Sequence, residues 1–221
     1  MRCFNSPDVV SLIITADDYG YHPSYDEGIL EAAAAGAVDS VSAFAPRPGL
    51  EPEPLLRTGV EVGLHLDLED DAANARLEVE RQLSAFEQSF SAAPAYLDGH
   101  RHCHASEGVD EIVAAIAAER RLPVRSVSPR HRRVLRRHRV VTPALTIGRV
   151  EETRPPLPSE LRMGVGQLPP VVEWFVHPGY AAGDGFSSFD AGREQDLRVL
   201  LRFRAPRGVR RRTHAQALVK P

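Results

Sequence analysis

At 221 residues and 43% hydrophobic, the chain is long enough for one domain with a large buried core. Its formal charge of −3 excludes a bulk electrostatic case for nucleic acid or an anionic membrane. It also lacks the uninterrupted ~18 apolar residues of a spanning helix.

The N-terminus, MRCFNSPDVV, has no basic start followed by an apolar stretch, so no secretory leader is read there. Cys3 and Cys103 are too few for a disulfide framework, and a cytoplasmic location is expected. All of residues 1–221 are assigned to a single domain. Val9–Thr15 reads as a buried strand, and two adjacent acids follow it, Asp17 and Asp18. A helix is expected near Asp26–Ala35, with Ser24 and Glu27 at capping-box spacing and Gly36 closing it in a left-handed conformation. Val38–Ala45 is a second strand, Pro46–Pro54 a loop, and Val60–Leu66 a third strand carrying His65.

Residues 72–92 hold a helical pattern through Leu77, Val79, Leu83, Phe86 and Phe90. Ala95–Leu97 is a short strand leading into Asp98-Gly-His100-Arg-His102-Cys-His104. Val109–Arg120 is helical, and Leu122–Val127 is read as a fifth strand. Pro129–Arg139 is a run of positive charge, best explained as a solvated helix face or loop, with anion contact as its alternative. Val171–Val176 is a strand stopping at His177-Pro-Gly; Glu194–Phe203 is helical, and Gly208–Arg212 is a last strand. About seven strand–helix units in one domain favour a largely parallel α/β barrel over an open sheet, with ligands at the carboxyl ends of the strands. The candidate residues fall at those ends.

A histidine alternating with leucines, as His65 does, is often a satisfied core residue. His100, His102 and His104 would share one face if their segment stayed extended, with Cys103 pointing away, and packing does not explain three such imidazoles. Proline and glycine after His177 turn the chain and present its ring at the strand mouth. Neutral imidazoles with one carboxylate suit a catalytic divalent metal that keeps open positions. A second carboxylate can take a water's proton, and a histidine opposite can protonate a leaving group. Together these parts describe hydrolysis of an amide or ester.

Four segments, Thr15-Ala-Asp-Asp-Tyr-Gly20, Val62-Gly-Leu-His65-Leu, Leu97-Asp-Gly-His100-Arg-His-Cys-His104 and Glu173-Trp-Phe-Val-His177-Pro-Gly-Tyr180, resemble in order the motifs of the YdjC family of carbohydrate deacetylases. The resemblance runs from about residue 9 to 218. It implies a distorted, TIM-barrel-like (β/α) barrel that binds a divalent metal ion, Mg2+ or Zn2+, and removes acetyl groups from N-acetylglucosamine-type sugars. It implies His65, His100 and one aspartate as metal ligands. Asp18 is chosen as that ligand and Asp17 as the catalytic base, by analogy with other deacetylases that begin with paired aspartates. His177 would be the general acid or would orient the acetyl group, and His102 and His104 would support the site. The chain departs from the family at Gly99, where serine is common, at Ala144 and Thr146, and between His65 and Asp98, a stretch shorter than the family's and acidic at Glu69-Asp-Asp71. A metal-dependent phosphoesterase and a non-catalytic sugar-binding barrel are the alternatives. The expected partner is a small N-acetylated sugar, and of oligomers a dimer is weakly favoured.

Overall fold

The structure is a computed structural model that describes residues 9–69, 72–148, 168–183, 187 and 189–218. Cys3, Asp70, Asp71 and Ser188 lie outside the described residues. The opening apolar run forms β1 (Val10–Tyr19), the strand around which the sheet is built. On one side lie β2 (Ser40–Ala43), β3 (Glu61–Leu66) and β4 (Leu97–Gly99). On the other lie β6 (Val171–Val176) and then β5 (Leu145–Gly148). β7 (Val209–Arg211) pairs with the first residues of β1. All these pairings are parallel, as strand–helix alternation requires.

The sheet curls toward closure between β4 and β5. Leu97 N donates to Pro123 O at 2.9 Å, Arg125 N to Leu97 O at 3.0 Å, and Val124 N to Val141 O at 3.0 Å. The strand expected over Leu122–Val127 is therefore reduced to one bridge, Leu97 with Val124. Pro123 has no N–H to extend the ladder, and the irregular backbone turns Arg125 into the interior. A distorted (β/α) barrel results.

The alternation of side chains gives the sheet two unlike faces. Val10, Leu12, Ile14 and Ala16 of β1, with Val172, Trp174 and Val176 of β6, join the hydrophobic cluster shared with the helices. The residues between them face inward, where Thr15 Oγ1 donates to Glu173 Oε1 at 3.0 Å and Ser42 Oγ donates to Asp98 Oδ2 at 2.6 Å. A strand that looks uniformly apolar thus carries a polar interior.

The helices are α1 (Pro23–Ala34), α2 (Pro52–Leu56), α3 (Ala72–Phe90), α4 (Val109–Arg120), α5 (Pro129–Arg137), α6 (Asp190–Arg202) and α7 (His214–Ala217). None of the described helices is long and apolar enough to cross a membrane. The expected capping box at Ser24 and Glu27 is not formed, because α1 starts earlier, with Pro23 in its first turn and His22 as the cap. Gly36 does take the left-handed conformation, at φ +63°. The expected loop Pro46–Pro54 ends in α2, which Pro52 opens with its fixed φ. The arginine-rich run forms α5, capped by Ser128.

One close approach fixes the turn after His177. A Cβ on Gly28 of α1 would sit 2.5 Å from Gly179 Cα and 2.9 Å from its carbonyl carbon, so helix and turn touch backbone to backbone. We predict that Gly28→Ala lowers stability by about 1–3 kcal/mol through this overlap. Urea unfolding checks it; an unchanged midpoint would show that the contact is not tight.

Candidate metal centre and active site

Adjacent strand residues normally face opposite ways, yet Asp17 and Asp18 both line one cleft. The cause is a break at the end of β1. Asp18 has φ +78°, in the left-handed region, and the register with β2 shifts between Ala16 and Tyr19. Aspartate is among the residues that tolerate this conformation, at a cost of order 1–3 kcal/mol that its surroundings must hold.

Asp18 Oδ1 lies 3.3 Å from His65 Nε2 and 3.3 Å from His100 Nδ1. Its other oxygen, Oδ2, accepts from Arg193 Nη2 at 2.6 Å. Burial opposes the charge on Asp18, but His100, His65, His177 and Arg193 outweigh it and hold its pKa well below the usual range. On the far side of His65, Nδ1 is 2.8 Å from Asp98 Oδ1. Asp98 is ionised despite its burial, because Arg125 and His65 lower its pKa, so Nδ1 must be the donor. A neutral His65 then presents the lone pair of Nε2 to a carboxylate oxygen, a repulsive contact. Either a proton on Nε2 or a cation resolves it. Burial disfavours the proton, yet Asp98, Asp18 and Asp17 raise the His65 pKa to about 10.

The donor set therefore fits a divalent ion, which would take over the charge that this proton otherwise supplies. The ligand atoms of Asp18, His65 and His100 lie within 4.8 Å of one another, and so do those of Asp17, His65 and Asp98. The second trio already has its cation. Arg125, fully buried, donates to Asp17 Oδ2 at 2.6 Å and Oδ1 at 2.8 Å, reaches Asp98 Oδ2 at 2.8 Å, and donates to Glu173 Oε1 at 2.9 Å. Arg125 thus engages both oxygens of Asp17, whereas Arg193 takes only Oδ2 of Asp18 and leaves Oδ1 facing His65 and His100. Desolvation raises the Asp17 pKa to about 6 even against Arg125.

The cleft has a volume of about 220 Å³ and is lined by Asp17, Asp18, His65, His100 and His177, with Phe175 and Phe189 as apolar walls. All five site residues expected from the sequence thus meet in one place. The His177 ring stacks on Phe189 at 4.7 Å, and its backbone N donates to Asp196 Oδ2 at 3.0 Å. Burial lowers its pKa to about 3, against the pull of Asp18, so it rests neutral.

The expectation that His100, His102 and His104 share an extended face is not met. After Gly99 the chain enters a 3-10 segment, His100–Ala105, in which Arg101 and His102 have φ +50° and +62°. His102 still lines the cleft, while His104 is buried with Nε2 3.0 Å from the Arg125 carbonyl. Cys103 is buried too, its Sγ donating to Leu66 O at 3.2 Å. The glycine at position 99 also has a cause. A Cβ there would lie 2.9 Å from both Cys103 Sγ and His104 Nδ1.

Sequence reasoning misses the residues that hold these groups: Arg125, Asp98, Glu173 and Arg193. Their signal is present as a charge in an otherwise apolar stretch, at Arg125 after Val124 and at Glu173 between Val172 and Trp174. Spacing alone does not say that they converge.

The profile described as "YdjC-like protein" matches residues 11–76 and 69–207. The human protein named carbohydrate deacetylase is 33% identical over 141 residues, covering 47% of this chain and 44% of the relative. That of Geobacillus stearothermophilus is 30% identical over 159 residues, covering 59% and 63%. The chain spans about half the length of the curated relatives it matches. A crystal structure from Enterococcus faecalis V583, named for cellobiose-phosphate cleavage, superposes with a TM-score of 0.76 at 21% identity, covering 94% of this chain and 98% of the other. It has the same fold.

Arg125→Met should be costly, since it strands three buried carboxylates: about 3–5 kcal/mol at neutral pH. Arg125 lowers the pKa of Asp17, Asp98 and Glu173, so without it their folded pKa values rise. The folded variant then binds more protons than the unfolded chain, and its deficit against the parent shrinks as pH falls. Denaturation of both proteins at neutral and mildly acidic pH checks this; a deficit that grows with acid would contradict it.

Proposed function

The chain belongs to the YdjC-like protein family, and from that premise and the cleft we propose that it is a metal-dependent carbohydrate deacetylase. The reaction is hydrolysis of the amide that joins an acetyl group to an N-acetylated, N-acetylglucosamine-type sugar. The observation that carries this reading is the split between neighbouring aspartates. Asp18 faces two imidazoles, whereas Asp17 is bound in bidentate fashion by Arg125.

In this reading Asp18, His65 and His100 hold the ion. When bound, a divalent ion polarises the acetyl carbonyl and makes a water acidic enough to attack it. Asp17 is the base that accepts the water's proton, and a pKa near the working pH suits that role. Arg125 keeps its carboxylate oriented. Asp98 fixes the tautomer of His65, as carboxylates behind metal-binding histidines do. His177, neutral at rest, would take a proton from solvent and deliver it to the departing amine, while Asp17 returns the water's proton to solvent. Phe175 and Phe189 exclude water beside it and give the acetyl methyl an apolar wall. Two imidazoles with one carboxylate suit zinc and other first-row metals better than magnesium.

Purified protein should carry about one divalent ion per chain, and His65→Ala or His100→Ala should remove it. Asp17→Asn should keep the ion while acetate release from N-acetylated chitooligosaccharides falls by roughly 100-fold or more. Metal analysis with an acetate assay checks both. Loss of metal in Asp17→Asn but not in Asp18→Asn would exchange the two roles, and no acetate from any N-acetylated sugar would remove the enzymatic reading.

A further inference from the structure

The arginine-rich helix α5 has two charged sides with different fates. On one side, Arg130 pairs with Asp110 at 2.7 Å, His138 reaches Glu111 at 2.8 Å, and Arg137 also pairs with Glu111, so α4 neutralises them. On the other, Arg132 and Arg136 are spaced i,i+4, and Arg139 follows just past the helix end with φ +58°. No acidic partner among the described residues meets Arg132, Arg136 or Arg139. Like charges at this spacing repel. The three arginines line one surface cavity of about 340 Å³ with Val140, Thr142 and Ala144.

The cavity has further order. Arg132 is anchored, its Nη1 donating to Ala144 O at 2.5 Å. The Thr142 hydroxyl has no partner among the described residues and can rotate to donate. We propose that this cavity is a binding site for a small polyvalent anion of the phosphate class, either free phosphate or the phosphoryl group of a phosphorylated metabolite. Guanidinium groups match two phosphate oxygens at a time, and several converging on one cavity suit a dianion better than chloride. The concavity and the engaged flanking charges favour a small ligand over a polymer backbone.

The site is separate from the proposed catalytic cleft. Ala144 directly precedes β5 and donates to Val171 O, at the amino end of the parallel sheet. The cleft residues lie at or just past the carboxyl ends of β1, β3, β4 and β6. Seven steps along β1 lead from Ser11, level with Val171, to Asp18, roughly 20 Å at the rise of a strand. An anion here would act on stability, by offsetting most of the mutual repulsion of three like charges in the folded state only.

The test is calorimetric titration of metal-loaded protein with inorganic phosphate, at ionic strength held constant with sodium chloride. Saturable binding is expected. It should weaken roughly tenfold or more in Arg136→Gln/Arg139→Gln, whose exposed side chains can be replaced without lowering the phosphate-free thermal midpoint. His65→Ala should bind phosphate as the parent does, which separates this site from anion binding at the metal centre. Glucose 6-phosphate distinguishes the sources: tighter binding than inorganic phosphate assigns the site to a phosphate ester, and equal binding assigns it to free phosphate. Undiminished binding in the double variant, or no saturable binding in the parent, would overturn the proposal.

Discussion

Arg125 is the group on which the rest of the interior depends. It is fully buried and reaches three carboxylates from different strands, Asp17 on β1, Asp98 on β4 and Glu173 on β6. None of the three is tolerable in a dry interior alone, and one guanidinium with five donors serves them together. Its place in the fold is as particular as its partners. It enters from the irregular segment that bonds both β4 and the chain leading to β5. The segment that closes the curled sheet is therefore also the one that supplies the interior's central guanidinium.

From this follows the division between the paired aspartates. Arg125 occupies both oxygens of Asp17, and in the proposed function the cation therefore goes to Asp18. Through Asp98 the same guanidinium acts on His65, whose Nδ1–H is held so that Nε2 faces Asp18. Arg193 binds the outer oxygen of Asp18 and lies with its guanidinium carbon 3.6 Å from the centre of the Tyr25 ring. Each aspartate thus has its own arginine, and the left-handed turn at Asp18 lets both carboxylates reach the same cleft.

Much of this is legible in the chain itself. The alternation of strands and helices, the parallel sheet and the five cleft residues follow from apolar periodicity and from acids and histidines at strand ends. What is not legible depends on distance in sequence or on local backbone. Arg125 is 108 positions from Asp17, and nothing in its own segment announces the pairing. Pro123 converts an apparent strand into a bridge. Two left-handed residues after His100 divert the histidine run that strand geometry would have aligned, so His102 reaches the cleft and His104 packs behind it. His22 caps α1 in place of the better-looking Ser24, because Pro23 already starts the helix.

The central claim is that one cation belongs among Asp18, His65 and His100, while Arg125 holds the neighbouring trio of Asp17, His65 and Asp98. Anomalous diffraction from crystals grown with cobalt or zinc tests it most directly. The account predicts a single anomalous peak in contact with Asp18, His65 and His100, with the Asp17–Arg125 pair intact beside it. A peak in contact with Asp17 or Asp98, with Arg125 displaced, would contradict it.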